Sequence, residues 1–374
     1  MPQRRRRFRL WKGSVARWIA RSPRSSRTFC SCDLNDGRPM REPAFWRRPS
    51  SLLSRLLMPV GALYGAIAAR RLSRTGLRAG VPVICVGNYH VGGAGKTPTV
   101  MAMAGILRSL GETPVVLSRG YGGRLHGPVR VDPHRHAAAD VGDEPLMMAR
   151  TIPVIVSRQR AAGVAPALAL GASVILMDDG FQNPALAKDI SLIVIDGDRG
   201  LGNGQVFPAG PLRAPLPPQL ARTDALVIVG FGAAADDVAA RFKAQGGPVL
   251  RARIVPDDAS IAAICNRRVL AFAGIGDPSR FFRSLRACGV DVVTERAFAD
   301  HHPFSQRDVA ELQAAAEQDG LTLVTTEKDL ARLRNHENLA AFAQTVMPFA
   351  VTLAFDDEAA LRSFLIDRLG RARQ

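Results

Sequence analysis

Four segments of this chain carry residue types that phosphoryl chemistry needs. The first is VICVGNYHVGGAGKTPTVMAMAGIL, residues 83–107. An apolar run enters a glycine-rich turn, and the turn opens a helix-forming run. Gly92, Gly93 and Gly95 have no Cβ, so the amides of this turn, Ala94 included, can approach phosphate oxygens. A helix starting at Lys96 adds free N–H groups and the positive end of its dipole. Lys96 would place an ammonium on the β- and γ-phosphates, and Thr97 a hydroxyl on Mg2+. The strict spacing G-x-x-x-x-G-K-[ST] is not met, because His90 stands where the first glycine belongs. In its strand–loop–helix context GGAGKT still favours nucleotide binding over a structural turn.

The second segment is SVILMDDG, an apolar run ending in Asp178 and Asp179. Carboxylates at the C-terminal end of a strand beside a phosphate loop can hold Mg2+ or its water shell. Capping of the next turn would account for one of these acids and not for both. Gln182 follows closely and can hydrogen-bond phosphate or water. The third need is an acceptor for the proton of an attacking hydroxyl, which a carboxylate or a histidine can be. VGDEPLMMAR offers Asp143 and Glu144 at the start of a helix, and FADHHPF offers Asp300, His301 and His302. The blander roles are an N-cap for Asp143 and a satisfied surface residue for a histidine. On residues alone both clusters stay open.

These segments must be positioned by strands. VPVICVG, PVVLSRG, IPVIVS, SVILMDDG, LIVIDG and ALVIVG are short, β-branched and nearly continuous, as strands covered on both faces are. Helical stretches start near Lys96, Glu144 and Arg158, which gives the alternation of a doubly wound parallel sheet. GNGQVFPAGPLRAPLPPQ, residues 202–219, reads as a long irregular loop with a functional purpose. From about Pro248 a second set of strands follows (VLRARIV, RVLAFAGIG, VDVVTERAF, LTLVTTEKD, MPFAVTLAF), with helices near 278–287 and 305–318. A second, smaller α/β domain is expected there. The divisions read as 1–39, 40–79, 80–245 and 246–374.

The chain has 374 residues and a net charge of +17. Such an excess attracts polyanions: nucleic acid, anionic lipid or phosphorylated substrates. Roughly half of it lies before Met40, in a stretch with Arg4, Arg5, Arg6, Arg7, Arg9 and Lys12. No apolar core of a secretory signal follows, and the run from Met40 reads like a natural protein start. Residues 1–39 are therefore expected to be a disordered, dispensable basic extension; a targeting peptide or a nucleic-acid arm ranks below that. Five scattered cysteines, Cys30, Cys32, Cys85, Cys265 and Cys288, show no zinc or disulfide spacing. No uninterrupted apolar run reaches the about 18 residues that span a bilayer. Residues 50–72, with Leu52, Leu53, Leu56, Leu57, Val60, Leu63, Ile67 and Ala68 among arginines, predict an amphipathic helix. Such a helix can lie on an anionic membrane surface or pack on its own domain.

From Met40 to Asp329 the chain resembles the tetraacyldisaccharide 4'-kinase family of lipid A biosynthesis. The landmarks, in order, are GNYHVGGAGKTP, LSRGYGGR, VGDEPLMMA, MDDGFQNP, IDGDRGLGNGQVFPAGPLR, FAGIGDPSRFF, FADHHPF and TTEKD. Only the first is strong alone, whereas the ordered set is highly specific. The resemblance implies a P-loop-type parallel sheet with helices on both faces, a second α/β domain and an active site in the cleft between them. It implies ATP and Mg2+, and as acceptor the 4'-hydroxyl of a tetraacylated glucosamine disaccharide 1-phosphate. It also implies an N-terminal helix on the cytoplasmic face of the bacterial inner membrane, which favours the membrane for residues 50–72. A monomer is expected, and no nucleic-acid partner. Carried over by motif, Lys96 and Thr97 serve the phosphates and Mg2+, Asp178 and Asp179 act around the metal, and Gln182 supports them. Asp143 and His301 would form the dyad that activates the sugar hydroxyl. Arg119 and Tyr121 would line the site, and Arg213 would contact substrate. Two positions depart from the pattern: Ala214 stands where many relatives have Glu, and Asn183 where many have His.

Two rival readings are a membrane-associated P-loop ATPase or GTPase switch and a nucleic-acid-binding protein. Thr326, Glu327, Lys328 and Asp329 are in the wrong order for a guanine-reading segment. The positive excess lies mostly in the extension, and only three Trp and three Tyr are present for base stacking.

Overall fold

The computed structural model describes residues 43–47, 51–300, 302–334 and 337–374. The expectation for residues 1–39 therefore lies outside the described residues, and so does His301.

Thirteen strands form two sheets among the described residues. In chain order they are β1 Val83–Gly87, β2 Pro114–Ser118, β3 Val129–Arg130, β4 Val154–Val156, β5 Val174–Asp178, β6 Ile190–Asp196 and β7 Ala225–Val229. Then follow β8 Val249–Pro256, β9 Arg268–Ala273, β10 Asp291–Ala297, β11 Thr322–Thr326, β12 Met347–Phe349 and β13 Val351–Phe355. The large sheet has the order β13-β8-β7-β6-β1-β5-β2-β4-β3. It is parallel except at its edges, where β3 and β13 run antiparallel to β4 and β8.

The continuous apolar runs have a simple cause. Successive residues of a strand point to opposite faces, and both faces of this sheet are covered. Ile84 and Val86 enter a core with Val100, Met103 and Leu107 of the helix Lys96–Ser109 and Leu361, Leu365 and Leu369 of the helix Glu358–Ala372. Val83 and Cys85 enter the opposite core with Leu220, Val238 and Phe242. β1 lies in mid-sheet, with later strands added on both sides of it. In open α/β sheets ligands bind outside the carboxyl ends of the strands at such a point.

The small sheet, β10-β9-β11-β12, is all parallel. Its helices Pro278–Ala287 and Gln306–Asp319 lie where the sequence places them. Asp277 and Ser305 cap their first turns by accepting from the N–H groups of Arg280 and Asp308. The expected division at residue 246 is corrected by strand pairing. β8 and β13 belong to the large sheet, so the small sheet is an insertion between them. The run MPFAVTLAF breaks at Ala350 into one strand of each sheet. Apolar periodicity shows that a strand is buried, not which sheet buries it.

The N-terminal helix is Leu52–Leu72, capped by Ser51. Its docking stripe is Ser54, Gly61, Gly65 and Leu72, mostly small residues, while Leu52, Leu53, Leu56, Val60, Leu63 and Ile67 are exposed. A Cβ at Gly61 would lie 2.9 Å from the Val206 oxygen, which is why the backbones can approach this closely. Ser54 Oγ donates to Ala209 O at 2.7 Å. By length and composition alone this helix could cross a membrane. The count of uninterrupted apolar residues missed that because Arg55 stands near its start.

Candidate active site

β1 ends at Gly87, and the following loop bends back before the helix Lys96–Ser109. Gly92 and Gly95 have φ of 110° and 84°, a region closed to most side chains. Asn88 is fully buried and its Nδ2 donates to Gly92 O at 3.1 Å, bracing the turn from beneath. The segment 211–213 straps the loop from outside. Val91 N donates to Pro211 O at 2.9 Å, and Arg213 N to Tyr89 O at 2.8 Å. His90 forms a backbone bridge with Leu212. Among the described residues only Asp179 is a non-glycine with positive φ. The first glycine of the strict motif is therefore not needed at residue 90.

Asp178 and Asp179 close β5 beside this loop. Asp179, with φ 46°, turns back toward it. Arg213 holds its carboxylate as a fork, Nη1 to Oδ1 at 2.9 Å and Nη2 to Oδ2 at 3.1 Å, and Lys96 Nζ lies 3.8 Å from Oδ2. Burial would raise the pKa of this acid, but the charges of Lys96 and Arg213 outweigh it and hold the carboxyl far below the usual range. Asp178 is the opposite case. Burial first, then the charges of Glu144 and Asp179, push its carboxyl up to about 7. Ser118 Oγ donates to its Oδ2 at 3.1 Å, while its buried Oδ1 has no hydrogen-bond partner among the described residues. The buried Arg160 supports the pair from below, donating to Asp178 O at 2.6 Å.

These residues fit Mg2+. That ion takes one or two carboxylates and completes its shell with phosphate oxygens and water. Asp178 offers an unpartnered buried oxygen, Asp179 follows it in the chain, and Thr97 lies in the first turn of the helix after the glycine loop. No group of three or more metal-holding side chains occurs among the described residues, and this ion does not require one.

Gln182 is bound into the loop's support. Its Nε2 donates to Asn88 O at 2.7 Å and to Gln219 Oε1 at 3.1 Å, and its Oε1 accepts from Arg213 at 3.4 Å. Sequence reasoning missed Gln219, which is fully buried and donates to Ala214 O at 2.8 Å. The available signal was an amide inside the apolar PLPPQL run. Ala214 is buried in the core, so the departure from Glu is filled by packing. Asn183 caps its own turn, accepting from Ala185 N at 2.8 Å.

Asp143 opens the helix Asp143–Met148 after Gly142, and its Oδ2 accepts from Arg332 Nε at 2.6 Å. Lys328 Nζ lies 3.3 Å from Glu144 Oε1. Both cations sit on the helix Glu327–Arg334 that follows β11, so the VGDEP and TTEKD motifs grip each other across the two sheets. Arg332 is a residue the sequence reading did not single out. Of the histidine pair, His302 is committed to packing: it stacks on Phe298 at 4.8 Å and its Nε2 lies 3.1 Å from Asp308 Oδ2. Arg119 and Tyr121 are exposed on a loop that packs against Gly142. A second cross-sheet contact joins IDGDRG to IGDPSR, with Arg280 to Asp196 at 3.0 Å and Arg199 to Asp277 at 3.5 Å.

Comparison with known proteins places this arrangement among its kin. Residues 53–370 match the family described as "Tetraacyldisaccharide-1-P 4'-kinase". The chain is 87% identical over 335 residues to a Nitrobacter winogradskyi protein named "Tetraacyldisaccharide 4'-kinase", covering 90% of this chain and 99% of that one. A protein of the same name from Nitrobacter hamburgensis is 86% identical, with 90% and 100% covered. The crystal structure of LpxK from Aquifex aeolicus in complex with ATP is similar at a TM-score of 0.65 and 27% identity, covering 85% of this chain and 100% of that one.

Proposed function

This chain belongs to the tetraacyldisaccharide-1-P 4'-kinase family, and we propose that it moves the γ-phosphoryl group of ATP to the 4'-hydroxyl of a tetraacyldisaccharide 1-phosphate, forming lipid IVA in lipid A synthesis. The observation that carries this reading is the glycine loop with Lys96, facing two strand-end aspartates of opposite charge character.

The amides of residues 92–97 and Lys96 bind the triphosphate tail, with Asn88 and Gln182 keeping the loop in shape. Thr97, Asp178 and Asp179 would hold Mg2+, which when bound neutralises charge on the β- and γ-phosphates. Arg213 keeps Asp179 ionised and aimed at Lys96. His301 takes the proton of the acceptor hydroxyl, and Asp143 orients it and compensates its charge. Lys96 stabilises the negative charge that redistributes as the phosphoryl group transfers. Arg119 and Tyr121, exposed at the rim, are proposed to meet the sugar phosphate. The outward apolar residues of the helix Leu52–Leu72 support attachment to a membrane, proposed to be the cytoplasmic face of the inner membrane, with the enzyme acting as a monomer. The catalytic unit would comprise the large sheet and the inserted small sheet, working across their cleft.

The test is to mix purified protein with ATP, Mg2+ and the disaccharide 1-phosphate in detergent and weigh the lipid product. A gain of one phosphate, lost on Lys96→Ala, is expected; no gain, or a gain that survives the substitution, overturns the reading. A GTPase switch is disfavoured by Asp329. In place of facing a base it is fully buried, bonded to Gly274 N at 3.0 Å and Thr326 Oγ1 at 2.8 Å.

A further inference from the structure

Arg332 takes no part in the proposed proton or phosphoryl transfer, yet its guanidinium ties together three separate pieces of chain. Nε donates to Asp143 Oδ2 at 2.6 Å, and Nη1 donates to Gly274 O at 2.9 Å and to Asp329 Oδ1 at 2.8 Å. Asp329 in turn accepts from Gly274 N at 3.0 Å. One Asp–Arg pair on a single helix turn therefore holds Gly274 by both its N–H and its C=O. A Cβ on Gly274 would lie 3.3 Å from Ala299 O and from His302 Cβ. The gripped residue is thus packed against the turn from Ala299 to His302. That turn is closed by His302 N donating to Ala299 O at 3.0 Å and anchored by Phe298 N donating to Ala273 O at 2.9 Å.

We infer that Arg332 is a positioning residue for phosphoryl transfer, fixing Asp143 of the large sheet relative to the small-sheet turn that Ala299 and His302 close. The inference rests on the reading of Asp143 and His301 as the proton-accepting pair. Attachment of the sheets does not depend on this residue alone, because Arg280–Asp196, Arg199–Asp277 and Lys328–Glu144 also bridge them. What sets Arg332 apart is where its donors end: on Asp143, on Asp329 of its own helix and on Gly274, which packs against Ala299 and His302. A planar guanidinium presents these donors in fixed relative directions, which a lysine ammonium on a flexible stem cannot reproduce. Small misplacements of a proton acceptor are enough to matter, since a shift of about 1 Å can cost about 100-fold in rate.

The experiment puts Arg332→Met and Arg332→Lys into the full-length enzyme, each with and without Asp143→Asn, and measures kcat, KM for ATP and Tm. Arg332→Met is expected to lower kcat about 100-fold with KM for ATP within about twofold, and Arg332→Lys to recover part of the loss. In the Asp143→Asn background Arg332→Met should cost less than about threefold more, because its effect passes through a carboxylate that is no longer there. An equal loss in both backgrounds, a rise in KM matching the fall in kcat, or near-normal kcat in Arg332→Met each overturns the inference. Should Arg332→Met not fold, the same comparisons made with Arg332→Lys decide. Asp143→Asn alone reports on the underlying reading: if it keeps near-normal kcat, the proton-accepting pair itself is wrong. If it is inactive while Arg332→Met turns over normally, only the role of Arg332 falls.

Discussion

Two places in this molecule set adjacent carboxylates against one lysine and one arginine, and they do it differently. Asp178 and Asp179 meet Lys96 and Arg213, all from the large sheet and its loops. Both cations serve Asp179, and Asp178 keeps a buried oxygen without a partner. Asp143 and Glu144 meet Arg332 and Lys328, which come from the helix after β11 in the small sheet. Here each acid of the pair meets a different cation, and Arg332 also pairs with the buried Asp329. The first arrangement has an unfilled demand for positive charge. The second has a cation on each acid of the pair and joins the two sheets. One pair is suited to receiving a ligand, the other to holding the two halves of a site at a set spacing.

The largest effect that tests this contrast is on the first pair. Lys96→Ala should lower kcat by about 10³-fold, as loss of a charge aimed at the transition state does, while Arg213 keeps Asp179 ionised and the fold intact. A loss below tenfold in a kinase assay, with unchanged Tm, would show that the ammonium is not aimed at the transferring group. Arg213→Met comes next. Removing the fork should reduce kcat/KM for ATP about 30-fold and lower Tm by several degrees, since a partly buried carboxylate loses its bidentate partner. Unchanged kinetics would mean that Lys96 alone organises Asp179.

The first pair was legible in the sequence and the second only in half. GGAGKT and DDG are recognisable from adjacent residues, and the central strands have every residue buried, so their runs are unambiguous, although the Arg213 fork on Asp179, 34 residues away, left no such mark. Asp143 was visible as a helix-opening acid, but Arg332 lies 189 residues away and looks like an ordinary surface cation of an amphipathic helix. Long-range partners leave no periodic trace. The same limit hid the membership of β8 and β13 in the large sheet. It also hid the stripe of Ser54, Gly61 and Gly65 on which the N-terminal helix docks, because hydrophobic patterning looks for large residues at a contact and this contact is made by small ones.

A pH-dependent prediction follows from the unfilled demand at Asp178. Its folded-state pKa is raised from 3.8 to about 7, so the folded protein binds a proton more tightly than the unfolded chain does. Stability of the ligand-free protein from this group is therefore full below about pH 4 and falls as pH rises toward 7. Asn mimics the protonated acid. Asp178→Asn should raise Tm by about 3 °C at pH 8 and by almost nothing at pH 4, while abolishing transfer. A uniform shift at both pH values, measured by calorimetry, would locate the cause in packing and not in charge.

The smallest effect belongs to the outer half of the second pair. Lys328 Nζ is 3.3 Å from Glu144 Oε1, whose side chain is 43% exposed, whereas Asp143 and Arg332 are 16% and 10% exposed. Exposed ion pairs contribute about 0.2–1 kcal/mol because water and salt screen them. Lys328→Met should therefore move Tm by no more than about 2 °C and leave kcat within about twofold, in contrast to Arg332→Met. Glu144 also acts on Asp178 through its charge, so an unpaired Glu144 would press that acid toward its protonated form. If Lys328→Met instead loses tenfold or more in kcat at neutral pH and recovers at higher pH, the two acid pairs are electrostatically one site. The cross-sheet contact would then tune Asp178 and Asp179 as well as hold the two sheets together.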